Sequence, residues 1–468
     1  MNKKHLLKYA GTMLLISIGV LIVALTYNRA QTGVNTADSM FDAYIGEDDN
    51  TPPPAPMLAT MQEVDSQPKD TSALGGYDVL IADRGNNRII EVTPDKKIVW
   101  EYTFTGLPPG FGADDSFFTD GGKTVIVNLE RYHLIEQIDY QTKKIIWQYG
   151  TAGVHGSKPG YLYNPDDAYK LPNGDVVVAD IKNCRVLEIS PDKQIVHQYG
   201  QAGHCSSKAG SLDLPNGDTP LPNGHILIST IVTHSLIELD DQWKPVFTMP
   251  FPLKYPSDPQ LTQAGNILIA EYEHPGKILE ISKQGQVVWE FDGEGTTTLN
   301  KPSLAIELPN GNILANDDFN HRVIVIDKQT KKIIWQYGVT GMPGDGGIQL
   351  NIPDGLDIIK HNLSTQPSGA ALPMHTVGQV TRHAAQFVGQ TVLLKGYLLK
   401  KESGYIIFSD EPTGSISAYD LPVIGTGFDT IQPKQAYLLQ GVFLGSGLTA
   451  SNGNAYHLEL SALPTKAN

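Results

Sequence analysis

The chain has 468 residues, of which 40% are apolar and 18% are charged, and its formal net charge at pH 7 is −15. This length and composition argue against a disordered chain and indicate a globular protein of two to four domains. The negative charge argues against binding of a nucleic-acid backbone, since there is no basic run beyond the extreme N-terminus. The 46 Gly and 31 Pro residues are spread along the chain, which is typical of turns between many short strands.

The first 29 residues predict a membrane anchor. Lys3, Lys4 and Lys8 precede an uncharged run at 9–27, which is long enough as a helix to span a bilayer core of about 30 Å. The alternative is a cleaved signal peptide, whose apolar region is usually about 7–15 residues long. Because positive charges hold their flank in the cytoplasm, we expect a single-pass protein of the cell membrane whose remaining domains lie outside the cytoplasm.

Residues 30–75 predict a flexible tether between this anchor and the folded part of the chain. The segment contains "TPPPAP" at 51–56 and no sustained apolar period. Such a composition does not favour a packed core. We expect the tether to lift the folded domains off the membrane and to carry no functional site.

A repeat of about 47 residues follows the tether. The phrase "QTKKIIWQYG" occurs at both 141–150 and 329–338, and related aromatic endings recur at 100–102, 197–199, 245–247 and 289–291. Each complete copy contains four strand-like segments separated by Asn-Gly, Pro-Asp and similar turns, which is typical of a β-propeller blade. The aromatic column is expected to pack between neighbouring blades.

The ends of the repeat predict a closed ring. The first copy begins at "YDVLIAD" (77–83) without an innermost strand, and the last copy is followed by an extra strand, "IPDGLDIIK" (352–360). Pairing of these two segments completes one blade and removes the free sheet edges. We therefore predict an all-β fold with a six-bladed propeller over 76–360.

The repeat resembles known propeller families. "ADRGNNRIIEV" (82–92) and "ADIKNCRVLEI" (179–189) are similar to NHL-type repeats, and "NGNILANDDFNHRVIVIDKQTKKIIWQYG" (310–338) is similar to arylsulfotransferase- and quinoprotein-like repeats. The resemblance implies a propeller that is an enzyme, a ligand binder or an interaction platform. Arylsulfotransferase-type enzymes carry a catalytic His near the inner strands, whereas this chain reads "NPDD" at 164–167 and "IPDG" at 352–355.

The candidate ligand site lies where the innermost strands begin. Counting back eight residues from the hairpin Gly gives one polar residue in five blades, and the extra strand supplies the equivalent residue of the sixth, with further carboxylates one position on. The set is Asp114, Asp166, Asn216, Ser257, Ser303 and Asp354, followed by Asp115, Asp167 and Asp258. Oxygen ligands that converge on a channel favour Ca²⁺ or a polar ligand. The alternative is that these residues only cap turns.

Other candidates occupy loops of the same face. Arg88, Arg185 and Arg322 form one repeat column that would bind an anionic ligand or pair with the preceding Asp83, Asp180 and Asp317. His155 is a further ligand candidate, together with loop residues His133, His204 and His321. Cys184 and Cys205 fall on this face in adjacent blades and predict a disulfide, because disulfides persist outside the cytoplasm.

A second domain follows a linker at 361–374. Alternating segments at 391–401, 404–410, 416–421, 435–445 and 455–463 predict five strands that resemble an OB-fold, so we assign an OB-like barrel to 375–463. This region contains nearly equal numbers of basic and acidic residues, whereas a groove for nucleic acid is basic. We expect the barrel to bind protein or glycan or to dock on the propeller.

These features predict a membrane-tethered extracytoplasmic scaffold whose propeller binds a protein, a glycan or a small polar ligand. The alternative is an enzyme that acts at the channel mouth, either an arylsulfotransferase-like transferase or a Ca²⁺-dependent hydrolase of the lactonase kind. The sequence contains no Gly-x-Ser-x-Gly, His-Glu-x-x-His or Cys-x-x-Cys motif, so it identifies no nucleophile and no zinc site.

Overall fold

The fold is described from a computed structural model. The structure describes residues 56–57, 59–60, 63, 66–206, 208, 210–360, 374–382, 384–387, 390–402, 405–413, 416, 420–425, 431–444, 456–460 and 463–467. No helix in these ranges is long and apolar enough to cross a bilayer. The predicted anchor at 1–29 lies outside them.

Residues 78–359 form a six-bladed β-propeller, and each blade is a four-stranded antiparallel sheet. Blade 1 combines β24 (Pro353–Ile359) with β1 (Asp78–Asp83), β2 (Arg88–Val92) and β3 (Ile98–Thr103). In each of the other five blades the four strands are consecutive in the chain. Blade 2 contains β4 (Ser116–Thr119), β5 (Thr124–Leu129), β6 (Leu134–Asp139) and β7 (Ile145–Gly150), and blade 3 contains β8 (Pro165–Lys170), β9 (Val176–Asp180), β10 (Arg185–Ile189) and β11 (Ile195–Gly200). Blade 4 contains β12 (Pro215–Pro220), β13 (Ile226–Thr230), β14 (Ser235–Leu239) and β15 (Pro245–Pro250); blade 5 contains β16 (Gln260–Leu261), β17 (Ile267–Glu271), β18 (Lys277–Ile281) and β19 (Val287–Phe291); and blade 6 contains β20 (Ala305–Glu307), β21 (Ile313–Asp317), β22 (Arg322–Asp327) and β23 (Lys332–Gly338).

The predicted ring closure is confirmed. β24 pairs antiparallel with β1, with Asp78 opposite Ile359 and Ile81 opposite Leu356. The second and third strands of the blades are buried on both faces, because neighbouring blades cover them. Their apolar side chains form a series of cores between adjacent sheets.

The duplicated phrase is the outermost strand of blades 2 and 6, and its aromatic residues join neighbouring blades. The indole N–H of Trp147 donates to the carbonyl of Pro191 in blade 3 (3.0 Å), and that of Trp335 donates to Pro94 in blade 1 (2.9 Å). The terminal Gly150 has φ +103°, and a Cβ there would collide with the His133 carbonyl. The phrase therefore repeats because each blade needs the same edge chemistry.

Part of the segment predicted as a tether belongs to the propeller. Lys69 bridges to Trp335 on the outer edge of blade 6, and Ala73 and Leu74 are buried in the core. The side-chain amides of Asn310 and Asn312 both donate to the Ala73 carbonyl at 2.9 Å. Residues 66–76 therefore cover the outer edge of blade 6, next to the blade that closes the ring.

The C-terminal domain is a closed five-stranded barrel. Its strands are β26 (Thr391–Lys401), β27 (Ile406–Ser409), β28 (Leu421–Ile424), β29 (Ala436–Leu444) and β30 (His457–Leu460), in the ring order β26–β27–β28–β30–β29–β26. The third strand is described at 421–424, where Pro422 obscured the strand pattern, whereas the prediction was 416–421, of which residues 417–419 lie outside the described residues. Short elements flank the barrel: β25 (Met374–Thr376), α1 (Val377–Arg382), α2 (Ala384–Phe387) and β31 (Thr465–Lys466).

The barrel docks on the end of the propeller where the innermost strands finish. α2 contacts β4 and β24. Gly378 of α1 lies so close to Pro222, in a turn of blade 4, that a Cβ at this position would collide with the proline ring. The opposite end, where the innermost strands begin, is the mouth of the channel.

Candidate functional site

The six polar residues that the repeat predicts at the start of each innermost strand all line the mouth of the channel; they are Asp114, Asp166, Asn216, Ser257, Ser303 and Asp354. The propeller symmetry explains this arrangement, since equivalent positions of all blades face the axis. The cavity that they enclose is only ≈ 30 Å³. It therefore accommodates one or two waters or an ion, but not an organic molecule.

A second set of mouth residues was missed by the sequence reasoning. The residue that follows the second strand of each blade begins a tight turn over the mouth, and this column contributes Arg84, Glu130, Ile181 and Tyr272 to the lining. Arg84 forms buried ion pairs with Asp114 and, at 2.9 Å, with Asp354. The signal was present in the repeat, because aligning the second strands places these residues at one position.

A deeper layer of carboxylates lies below this ring. Asp115, Asp167 and Asp258 are at most 3% exposed, and their oxygens approach to within 4.8 Å of one another. Asp114, Asp115 and Asp166 form a second such group, so that Asp115 belongs to both. Gly355 permits this packing, because a Cβ there would collide with Asp115.

Asp167 is the least satisfied member of the cluster. Its side chain is fully buried, and neither carboxylate oxygen accepts a hydrogen bond. The side chain of Asp258 and, to a lesser degree, the amide of Asp218 lie near enough to favour the charged form of Asp167 and so oppose the rise of its pKa, although both are outside hydrogen-bond geometry. A break in the pairing of β8 and β9 between Asp166 and Tyr169, with Asp167 at φ +50°, accompanies the placement of this carboxylate beside those of Asp115 and Asp258. Such bulges re-aim side chains near functional sites.

The electrostatics of the mouth disfavour an assembly of bare carboxylates. Burial raises the pKa of Asp115, Asp166 and Asp167, and the negative charges of neighbouring aspartates raise these pKa values further. The same holds for Asp258, whereas Arg84 partly opposes the rise in pKa at Asp354. Arg84 is the only cationic side chain among the described residues that line the mouth. The cluster therefore requires protons or bound cations to offset its charge.

The remaining predicted site residues lie apart from the mouth. Each arginine of the repeat column forms a buried ion pair with the aspartate that ends the preceding strand, at distances of 2.6–2.7 Å; the pairs are Arg88 with Asp83, Arg185 with Asp180 and Arg322 with Asp317. These arginines join the two strands of their hairpins. The predicted ligand His155 is exposed and stacks on Tyr163, with ring centroids 4.1 Å apart.

Cys184 and Cys205 form a disulfide with a Cα–Cα distance of 5.1 Å. The bond links the turn after β9 to the crossover that leads into blade 4. Cys184 is buried against Ile181 and Leu214, so the bridge supports two segments close to the mouth.

No protein-family model matches the chain, and comparison with curated proteins gives no match. Several solved structures match part of the chain at low sequence identity. A protein of unknown function from Bacteroides caccae is 16% identical, with a TM-score of 0.44 over 61% of this chain and 100% of that one. Inactive virginiamycin B lyase from Staphylococcus aureus with quinupristin is 15% identical, with a TM-score of 0.40 over 55% and 83%. A chain of a nidogen/laminin complex is 12% identical, with a TM-score of 0.44 over 60% of this chain and 98% of that one.

These likenesses are too low to transfer a function. The resemblance to NHL-type and arylsulfotransferase-like repeats stays a prediction, since no family model supports it. The six-bladed arrangement itself follows from the sheet order of this chain.

Proposed function

We propose that this protein is a binding propeller whose channel mouth holds a divalent cation, with Ca²⁺ as the best fit, and that the cation presents a coordination position to a polar ligand outside. The observation that carries the proposal is Asp167, a fully buried carboxylate without a hydrogen-bond donor, placed among the carboxylates of Asp115 and Asp258.

Chemistry and size both favour a hard cation. Ca²⁺ takes about 6–8 oxygen ligands at roughly 2.3–2.6 Å, and carboxylates are its preferred protein ligands. The aspartate groups around Asp115 offer only oxygen donors, and the ≈ 30 Å³ cavity suits an ion rather than an organic substrate. A cation there would lower the pKa values that burial and mutual repulsion raise. The ring residue Asn216 and the hydroxyl of Ser257 supply further neutral oxygens to the mouth.

The competing explanation is that protons alone neutralise the cluster, for example by sharing between Asp167 and Asp258. Cation binding separates the two explanations. Titration of the purified protein with Ca²⁺ in a calorimeter is expected to show saturable binding. The free energy of unfolding is expected to rise with Ca²⁺ by about 2.7 kcal/mol at a concentration 100-fold above Kd.

The decisive variant is Asp167→Asn, which keeps the shape of the side chain and removes its charge. It is expected to abolish both the binding heat and the Ca²⁺-dependent stabilisation. The matched control is Asp192→Asn, since Asp192 is an exposed turn residue of the same blade. Wild-type protein that binds neither Ca²⁺, Mg²⁺ nor Mn²⁺ would show that the cluster is neutralised by protons.

A second candidate function is hydrolysis at the same cation. Asp115 and Asp166 belong to one group of carboxylates that would hold the cation, and a carboxylate beside a bound cation would be placed to accept a proton from water. Arg84 pairs with Asp114 of the same group. No histidine occurs among the described residues that line the mouth, so the sulfotransferase-like version has less support than a cation-dependent hydrolase. Turnover of lactone and ester substrates that is lost on chelation would favour the enzyme.

The cellular placement belongs to the same proposal. We infer that the apolar run at 9–27 anchors the chain and that the propeller works outside the cytoplasm, since disulfides such as Cys184–Cys205 are typical of oxidising compartments. The barrel resembles an OB-fold in its ring order, with β28 and β30 parallel. We propose that it docks on the propeller instead of binding nucleic acid.

A further inference from the structure

A second and larger cavity lies at the other end of the channel, between the propeller and the C-terminal barrel. Its volume is ≈ 310 Å³. The propeller contributes residues of its innermost strands, including Phe117, Tyr169 and Leu356, and the C-terminal domain contributes Thr381, Ala384 and Tyr456. Both domains are therefore needed to enclose this space.

The volume determines what kind of occupant fits. A cavity of about 150 Å³ with apolar walls binds one benzene molecule. The cavity of this protein is about twice as large, which corresponds to a bicyclic molecule, and it is roughly ten times larger than the ≈ 30 Å³ space at the mouth. An organic ligand therefore fits at the barrel end of the channel and an ion fits at the mouth.

The walls present flat aromatic surfaces. Phe117 and Tyr169 stack on each other with ring centroids 4.3 Å apart and an interplanar angle of 23°. The side-chain amide of Gln260 donates to the Tyr169 hydroxyl (3.1 Å) and to the Thr219 hydroxyl (3.2 Å), which holds the tyrosine ring in place. Tyr456 extends the aromatic surface from the barrel side.

The charged groups of the walls are already engaged within the protein. Lys170 pairs with Asp120 at 2.7 Å. The carboxylate of Asp357 accepts hydrogen bonds from the backbone N–H groups of Phe118 (2.8 Å) and Ile358 (2.7 Å). With Arg382 the lining carries two basic and two acidic side chains. An uncharged ligand therefore enters without leaving a charge uncompensated.

We propose that this cavity binds a small, planar, uncharged aromatic molecule of about two fused rings, which packs on the Phe117–Tyr169 pair and contacts the barrel through Ala384 and Tyr456. Because the ligand touches both domains, its binding stabilises the docking of the barrel on the propeller. The site is independent of the cation proposal: Asp357 at the barrel end is three residues from Asp354 at the mouth, or about 10 Å along an extended strand.

The test uses 2-naphthol, a bicyclic probe that is neutral at pH 7, and 2-naphthalenesulfonate, which has the same rings and a fixed negative charge. Calorimetric titration of the purified full chain is expected to show one 2-naphthol site per chain, with the sulfonate binding at least 10-fold more weakly. The same affinity is expected in EDTA, which keeps this result separate from that for the mouth. Absence of 2-naphthol binding, or equal binding of the sulfonate, would overturn the proposal.

Two variants locate the site. Ala384→Trp fills the cavity from the barrel side and is expected to reduce the affinity at least 10-fold, whereas the matched Ala152→Trp, on an exposed loop, leaves it unchanged. Tyr169→Leu removes the stacking surface with little change in bulk and is expected to weaken binding about 3- to 10-fold. Equal affinity in wild type and Tyr169→Leu would refute the site even if Ala384→Trp does not fold.

Discussion

Acidification is expected to destabilise the propeller through His321, a side chain only 6% exposed. Its Nδ1 accepts a hydrogen bond from the backbone N–H of Ile352 at 3.1 Å, immediately before the strand that closes the ring. Nδ1 accepts only while it is unprotonated. Burial lowers the pKa of His321 from its ordinary value of about 6.5 to about 4, so the folded protein keeps the neutral imidazole well below neutral pH.

The magnitude follows from linkage. Between pH 6.5 and pH 4 the unfolded chain binds a proton at His321 that the folded chain does not bind, so the free energy of unfolding decreases as the pH falls through this window. At about 1.36 kcal/mol per pKa unit, the loss reaches about 3 kcal/mol by pH 4 and is absent above pH 6.5. His133, whose Nδ1 accepts the N–H of Asn164 at 3.3 Å, adds a loss in the same direction, because burial and the nearby His155 and Lys182 lower its pKa to about 4 as well.

The assay compares urea unfolding of wild type and His321→Asn at several pH values between 7 and 4. Asn favours the left-handed backbone conformation found at His321 (φ 55°) and offers a carbonyl in place of Nδ1. Other titrating groups are common to both proteins and cancel in the difference. The variant is expected to lose about 3 kcal/mol less than wild type over this range. Parallel pH profiles would refute the assignment of this loss to His321.

Three further changes test the structural roles of residues near the site. Arg185→Met is expected to lower the free energy of unfolding in urea by about 3 kcal/mol, since it leaves the buried Asp180 without its ion-pair partner at 2.7 Å. The affinity for Ca²⁺ is expected to stay unchanged. Weaker Ca²⁺ binding with unchanged stability would instead identify Arg185 as a ligand residue. Joint replacement of Cys184 and Cys205 by Ser removes a disulfide between residues 21 positions apart in the sequence. The free energy of unfolding is expected to fall by about 3 kcal/mol, and an unchanged Tm would contradict this. Trp335→Phe deletes the indole donor to Pro94 across the ring closure and is expected to cost about 1–3 kcal/mol, more than the exposed Val99→Ala control.

Most of the architecture was predictable because it is written as a local, repeated pattern. The duplicated "QTKKIIWQYG", the hairpin turns and the extra strand at 352–360 together predicted six blades and their closure, which the pairing of β24 with β1 confirms. Counting back from the hairpin Gly in five blades, together with the matching Asp354 of the extra strand, also led to the six side chains that line the mouth. Ring symmetry converts equal spacing along the chain into convergence in space.

The tertiary structure alone decided the features that depend on contacts between distant segments. Arg185 begins the third strand of its blade and is buried in an ion pair, whereas Arg84 directly follows the second strand and faces the mouth. Sequence spacing distinguishes these two repeat positions but does not show which of them faces the channel. Nor did spacing show that Leu74 enters the core, or that Asp167 is left without a donor among other carboxylates. The large cavity exists only because the barrel closes one end of the channel. The repeat thus determined the ring, whereas burial and the packing between blades and domains determined which of its polar residues carry an unbalanced charge.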